Sequence, residues 1–468
     1  MRLFVFSDSR ISRMHPRFVA HASAAPRAVA ALYRTIWRWH FYAGLFVIPF
    51  ILILSLTGAV YLFEPQLDRW QERPFQKLPQ VGAVAPSVQR DAALAAFPGA
   101  RFDSYRLPAE PGNAPVIHIG LAGGTMRNVY VSPQGRVLGS IDPESLISAT
   151  VRRIHGELFA GKVGSWVVET AGSWAIVMVL TGVYLWWPRG KAIVGVLWPR
   201  VGRGRQAQWR DLHAVSGFWV SGLAMVLLVT ALPWAGVWGS GFKMARAQFG
   251  WTKGRPDWKI GAEHGDHDHA AMMRMMADPR APGLDAIVMK AAAQHQPAPV
   301  LVRPPGAPDG NATLMVWTVK SDAQNRPLNV TITYDPATGR EISRKGLGDK
   351  HVIDRAVAYG IAWHEGQLFG WINQLIGLLT ALMLVGLAVS SFVLWRRRKP
   401  VQGLGAPSLP AVPARIGGVI VIIVGLALVL PMLAVSLGAI LLLDVIVFRR
   451  IPAVAQWLSL PSAKTPSP

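Results

Sequence analysis

Long apolar runs alternate with polar stretches along this chain. Four runs, 40–63, 166–187, 213–236 and 371–395, reach the roughly 20 residues that a helix needs to cross a ~30 Å hydrocarbon core. With their flanks they predict transmembrane helices over 39–63, 166–187, 211–238 and 371–395. A fifth apolar run, Ile416 to Val447, spans 32 residues, about 48 Å of straight helix and too long for one untilted crossing. Pro431 lies near its middle, and Arg415 and Arg449-Arg450 bound it. The charge therefore favours a hairpin with both ends on one side, and one long broken helix is the alternative.

The two large polar segments, 64–165 and 239–370, share a plan. In the first, a helix around 86–97 precedes strand-like 101–107, 115–121 and 128–138, the last with the turn Ser132-Pro133-Gln134-Gly135. In the second, a helix over 283–295 precedes 299–303, 312–320 and 328–343, with the turn Asp335-Pro336-Ala337-Thr338-Gly339. The chain is a duplicated unit of span, small α+β domain and span. The expected fold class is an α-helical integral membrane protein with four main transmembrane helices, a C-terminal hairpin or long helix, and two extracytoplasmic α+β domains.

Composition supports the membrane reading, with 51% hydrophobic residues and a mean hydropathy of +0.30. The formal charge of +22 would suggest nucleic acid, but its placement argues otherwise. Residues 1–38 carry seven Arg against Asp8; 188–210 holds Arg189, Lys191, Arg200, Arg203, Arg205 and Arg210 with no acid before Asp211; and Arg396–Lys399 form a third cluster. By contrast 64–165 has 11 basic and 9 acidic residues, and 239–370 has 16 and 13, so the excess borders the spans as cytoplasmic loops do. No nucleic-acid partner is expected. The N-terminus 1–38, the loop 188–210 and the linker 396–415 are placed in the cytoplasm, with the tail 448–468 after the last apolar run. Both large loops are placed in the periplasm of a bacterial inner membrane protein. No small-residue cleavage site clearly follows the first span, so it reads as an uncleaved anchor.

The absence of Cys excludes disulfides, thiolate zinc sites, Cys-ligated iron–sulfur clusters and haem attached through C-x-x-C-H. Four of the 12 His fall in register with the duplication. His40 opens span one and His213 opens span three, both within W-R-x(1–2)-H-x3-G at the cytoplasmic boundary; His155 precedes span two and His364 precedes span four at the outer boundary. Neutral imidazole ligates haem iron, and two on opposite faces give a six-coordinate iron suited to electron transfer. Gly44 and Gly217, each four residues after an inner His, lie one helical turn on and leave room for a flat macrocycle. A lone interfacial His more often snorkels toward headgroups beside Trp, but intramembrane ionisable groups in repeated register point to function.

At these residues the sequence resembles the PepSY-associated transmembrane proteins, including siderophore-iron reductases of the FoxB type and PiuB-like iron-uptake proteins. The resemblance runs over roughly 34–400 and rests on the paired loops and the four boundary His. It implies two non-covalent haem b groups with bis-His ligation, carrying electrons to ferric siderophores in the periplasm. His40 with His213 would hold the inner haem and His155 with His364 the outer one. No flavin or nicotinamide domain is visible, so the electrons would come from a cytoplasmic-side reductant or quinol. The expected activity is that of a haem-dependent ferric-siderophore (metal) reductase, an oxidoreductase.

The most unusual local composition is His264-Gly-Asp-His267-Asp-His269-Ala-Ala-Met272-Met273-Arg-Met275-Met276. Its imidazoles and thioethers suit copper, iron or zinc, although a mobile polar loop would have the same look. Glu169, early in span two, either takes up protons near the outer haem or faces headgroup water. Asp444 near Arg449 and Arg450 reads as a structural pair, and Trp37, Trp39, Trp186, Trp187, Trp371 and Trp395 as an interfacial belt. No P-loop, G-x-G-x-x-G fingerprint, nucleophile elbow or supported zincin motif appears. The rival readings are a non-enzymatic membrane module whose loops bind or regulate a periplasmic partner, and a metal-uptake transporter.

Overall fold

The computed structural model describes residues 24–188, 195–200, 204–251, 283–306, 308–309, 312–313, 315–409 and 416–460. Among the described residues, five helices are long and apolar enough to cross a membrane: Val29–Tyr61, Gly161–Trp186, Arg205–Trp234, Trp371–Arg398 and Pro431–Phe448. In hydrocarbon a chain must satisfy its own backbone, and these segments do so as helices. The first, α1, runs from Ala24 to Tyr61, well before the predicted start, because Ala and Arg in the basic leader are strong helix formers. Helices α2 (Glu64–Gln71), α3 (Pro86–Ala96), α4 (Ile147–Glu157) and α5 (Gly161–Trp186) follow. The second half brings α6 (Arg205–Ala231), α7 (Gly236–Gln248), α8 (Leu284–Ala293), α9 (Val352–His364) and α10 (Trp371–Arg398). Four of these, α1, α5, α6 and α10, pack as a closed ring, each against the next and α10 back on α1. Helix α4 lies on α1 and α5, and α9 lies on α6.

Each polar excursion yields four strands of one large sheet, and the second adds a short two-stranded ladder of Pro308–Asp309 with Ala312–Thr313. The strands of the large sheet are β1 (Arg101–Arg106), β2 (Val116–Gly120), β3 (Met126–Val131) and β4 (Val137–Ile141), then β5 (Val300–Arg303), β6 (Trp317–Ser321), β7 (Thr331–Tyr334) and β8 (Glu341–Lys345). The runs 128–138 and 328–343 fold as hairpins at the predicted turns, where Gly135 and Gly339 take positive φ. The two α+β units do not keep separate sheets. They join in one antiparallel sheet of order β8-β7-β6-β5-β1-β2-β3-β4, through Tyr105 opposite Val302 and Arg106 opposite Leu301. Each unit would otherwise expose β1 or β5 as a free edge, and pairing the two removes both. One core then spans both units, with Ile117, Val129 and Ala93 from the first and Ile287, Val302 and Ile332 from the second. Ser87 on α3 donates from its backbone N–H and its hydroxyl to Asp285 on α8 at 2.6 and 2.7 Å, tying the covering helices together.

The C-terminal apolar run forms α11 (Gly417–Val429) and α12 (Pro431–Leu443), broken at Leu430, with Pro431 as the first residue of the second helix. Leu430 and Leu433 pack on Ile176 of α5. The flanks of the run meet at the end of the bundle remote from the sheet. There Leu404 donates its N–H to Trp457 of α13 (Pro452–Trp457) at 2.9 Å, and Arg38 of α1 holds the carbonyls of Pro407 and Ser459 at 2.6 and 2.8 Å. The run thus leaves from and returns to one end. Asp444 pairs with Arg449 at 2.7 Å.

Candidate cofactor site

The ring of α1, α5, α6 and α10 encloses a cavity of about 1780 Å³. An ordinary small-molecule site has roughly 300–1,000 Å³. His40, His155, His213 and His364 all line it, as do Gly44 and Gly217. His40 and His213 sit on α1 and α6 toward the end remote from the sheet. His155 and His364 are carried at the sheet end by α4 and α9, short helices rather than the spans themselves.

Every one of these rings is held at Nδ1. Thr181 on α5 meets His40 at 2.8 Å, Thr57 on α1 meets His155 at 3.0 Å, and Ser391 on α10 meets His213 at 3.0 Å. His364 meets the Leu227 carbonyl at 3.0 Å and Thr230 at 3.2 Å, both on α6. Each hydroxyl has one proton, and the helix has already taken it. Thr181 donates to Val177, Thr57 to Ile53, Ser391 to Leu387 and Thr230 to Val226, all at 2.7 to 2.8 Å. A hydroxyl whose proton is used can only accept, and a carbonyl only accepts. The proton of all four neutral imidazoles is therefore fixed on Nδ1, which leaves Nε2 as a lone-pair donor. That is how proteins orient metal-ligating His. Burial supports the neutral form at the sheet end, where it lowers the pKa of His155 and, with His155 nearby, that of His364, each to about 4.

The spacing of the imidazoles suits an iron porphyrin. Two imidazoles ligating one metal from opposite sides at roughly 2.0–2.1 Å would set their ring centroids about 6 Å apart; those of His155 and His364 are 6.4 Å apart. His40 and His213 line the same cavity toward its other end. Among the described residues no group of three or more His, Asp or Glu could form an all-protein metal cage. Imidazoles in twos, with Nε2 free beside a large apolar cavity, fit bis-His haem.

Glycines let the helices approach this closely. A Cβ on Gly58 would lie 3.2 Å from Cε1 of His155, and one on Gly182 3.3 Å from Cε1 of His40. Gly44 faces Met178, and Gly217 faces Leu387. The four hydroxyl residues were not anticipated from the sequence. A signal was present: Leu56-Thr57-Gly58 and Leu180-Thr181-Gly182 repeat one tripeptide, Thr for the ring nitrogen and Gly for the ring edge.

Glu169 lines the cavity but is committed elsewhere. Its two oxygens accept the backbone N–H groups of Val237 and Trp238 at 2.8 and 3.0 Å, which caps the N-terminus of α7. It caps a helix rather than facing headgroup water, and both oxygens have donors. Trp37, Trp186 and Trp395 line the cavity as well, so they do more than form an interfacial belt. At the sheet end, Glu365 is buried against Arg326 at 3.3 Å, and burial raises the pKa of Glu64 to about 7. The stretch with His264, His267, His269, Met272 and Met273 lies outside the described residues.

Apolar helices in a closed ring, carrying an α+β sheet at one end, make this a multi-pass membrane protein with α+β insertions. Residues 37–398 match the PepSY-associated TM region, and the chain belongs to that family. No curated protein matches it.

Proposed function

We propose that the protein is a di-haem b electron-transfer protein of the bacterial inner membrane that reduces a metal chelate, a ferric siderophore, on the sheet side. The observation that carries this reading is the common state of the four imidazoles. All four are fixed at Nδ1, all four line one cavity, and they stand two toward each end. A transporter has no need of such uniform tautomers, and a passive binding module has no need of the cavity.

His40 with His213, and His155 with His364, would hold one haem each. When bound, haem supplies reversible one-electron chemistry at iron. The chain's own part is to fix the ligands and exclude water. Thr181, Thr57 and Ser391, with the Leu227 carbonyl, keep each Nδ1–H engaged, which raises the basicity of Nε2. The mostly apolar walls between the two His pairs would limit water at a bound cofactor. With the basic ends of the spans in the cytoplasm, the donor is a cytoplasmic-side reductant or quinol, and the acceptor meets the sheet end. One-electron reduction of the chelate gives ferrous iron, which hard oxygen ligands hold less tightly.

A visible absorption spectrum of the purified protein tests this directly, and bis-His haem bands are expected. His155→Ala or His364→Ala should remove one haem, and His40→Ala or His213→Ala the other, each leaving about half the absorbance. A colourless protein, or four variants with wild-type haem content, overturns the assignment.

A further inference from the structure

The cations lining the cavity are Arg152, Arg153, Arg200, Arg210, Arg326 and Arg398, with no Lys among the described lining residues. Arg is the side chain suited to planar, two-oxygen recognition of a carboxylate. Their placement follows the histidines. Arg152 lies three residues before His155 on α4, and Arg210 three before His213 on α6, so each shares a helical face with an imidazole. Each candidate His pair therefore has one member with an Arg one turn away. A second Arg reaches each pair from another element: Arg326 through its contact with Glu365, the neighbour of His364, and Arg398 on α10, seven residues and two turns beyond Ser391, which holds His213.

The local acids do not use these cations fully. Arg200 takes both oxygens of Asp211 at 2.7 and 2.6 Å, so Arg210 retains only a secondary approach to it at 3.4 Å. Arg152 stands 3.9 Å from Glu144, with both side chains more than half exposed. The Nε of Arg326 is buried with no hydrogen-bond partner, and Arg398 lies over the Trp37 ring at 5.7 Å. Arg153 faces the Phe159 ring instead.

We propose that Arg152 with Arg326 at the sheet end, and Arg210 with Arg398 at the other end, hold the propionate carboxylates of the two haems. The proposal rests on the di-haem reading. Haem b is apolar apart from one edge with two carboxylates, and carboxylates inside a membrane protein need cations or water. Arginines at both ends of the cavity turn that edge outward at each site. Arginine charge disfavours the more positive ferric form, and less so once a propionate neutralises it, so removing an Arg pair should alter the potential of the haem it would serve.

The test uses the full-length protein in detergent, stripped of haem and titrated with iron protoporphyrin IX or with its dimethyl ester, which has no carboxylates. The wild type should bind the ester about 10- to 100-fold more weakly at each site, as expected for loss of charge-assisted hydrogen bonds. In Arg152→Gln/Arg326→Gln the ratio should fall toward one at the sheet-end site alone. Arg210→Gln/Arg398→Gln should do the same at the other site, and the midpoint potential of the affected haem should shift while its partner's stays. Equal binding of acid and ester by the wild type overturns the proposal and leaves the di-haem reading intact, a result that needs no variant to fold. Double variants with the wild-type ratio at both sites overturn it as well. A protein that binds neither porphyrin overturns both.

Discussion

In the first half of the bundle, the small residue that lets a hydroxyl reach an imidazole sits beside the hydroxyl: Gly58 follows Thr57, and Gly182 follows Thr181. In the second half it sits on the helix that carries the imidazole. Gly360, four residues before His364, faces Thr230, where a Cβ would lie 3.0 Å from Cγ2, whereas Gly217, four after His213, would make only an ordinary 3.4 Å contact with Leu387. The outer helices are anchored differently too. Helix α4 is fixed to α2 by hydrogen bonds, from Ser148 Oγ to Asp68 at 2.6 Å and from Ile147 N–H to Gln71 at 2.9 Å. Helix α9 is fixed to α7 by a buried ion pair, Arg246 with Asp354 at 2.6 Å. The two halves converge on one state, Nδ1 engaged and Nε2 free, by different local means. What is held in common is the approach distance of two helices, and neither a given residue at a given place nor a given anchor is required. Each half secures its own two histidines, yet each candidate pair takes one His from each half. The sites therefore lie at the interface of the repeats.

The largest effect is expected where an anchor carries charge. Arg246→Ala removes the ion-pair partner of Asp354, whose side chain is 4% exposed in the intact pair, and breaking such a pair costs about 3–5 kcal/mol. Ser148→Ala removes a hydrogen bond to a carboxylate and should cost about 1.5–3 kcal/mol. Thermal or denaturant unfolding in detergent ranks the two. If Ser148→Ala proves the more damaging, α4 and not α9 is the more tightly anchored helix.

The two halves also differ in how they treat a buried carboxylate at the sheet end. Glu365 has Arg326 at 3.3 Å; Glu64 has donors from Tyr61 and from the Gln324 amide. Burial raises the folded pKa of Glu64 from 4.5 to about 7. The folded state then binds more protons than the unfolded state between these values, so Glu64 lowers stability as pH rises through that window. At 1.36 kcal/mol per pKa unit the penalty above pH 7 is at most about 3 kcal/mol. Glu64→Gln should stabilise the protein above pH 7 by up to that amount, and the gain should vanish below about pH 4.5. A gain that does not change with pH would trace the effect to packing instead.

Removing single hydroxyls probes the comparison at the ligands. Loss of a group that orients a metal-bound His typically weakens metal affinity by about 10- to 100-fold. Thr181→Val should fall in that range, measured as haem retained on dilution. Thr57→Val and Thr230→Val should lose less, because His155 also has the Leu54 carbonyl and His364 keeps the Leu227 carbonyl at 3.0 Å. Equal losses in all three would mean that the carbonyl does not substitute for the hydroxyl.

Much of this arrangement is visible in the sequence, because spans, turns and duplication all write themselves as local patterns. Apolar runs of sufficient length gave the spans, and Ser132–Gly135 and Asp335–Gly339 gave the hairpins. The four histidines stood out by register at span boundaries. What the sequence does not show is non-local. The pairing of β1 with β5 joins residues some 200 positions apart in the sequence, and no periodicity records it. The role of Thr57 depends on His155 arriving from another helix, and a lone Thr in an apolar run more often satisfies its own i−4 carbonyl. Here it does both. Glu169 misleads for a similar reason: a carboxylate in a span suggests proton chemistry until α7 is seen to place its N-terminus on it.

The smallest effects test the glycines, and they separate the halves most finely. A Cβ at Gly58 or Gly182 meets an imidazole edge at 3.2 or 3.3 Å, tighter than ordinary contact, and that ring is held at Nδ1 and cannot yield without lengthening its hydrogen bond. Overpacking of this kind costs about 1–3 kcal/mol, and under the proposed di-haem function its signature would be spectroscopic: a changed ligand orientation would shift the bands of one haem and lower its occupancy. A Cβ at Gly217 meets Leu387 Cδ1 at 3.4 Å, an ordinary contact with a side chain that has room to adjust. Gly217→Ala should therefore leave both haems bound and move the spectrum little, and because Ala is the better helix former it should even gain about 0.5–1 kcal/mol in α6. If Gly217→Ala empties a site while Gly58→Ala does not, then the glycine's purpose is room for the macrocycle against α6 and not closeness of helix to ring, and the account of how the halves hold their histidines must be reversed.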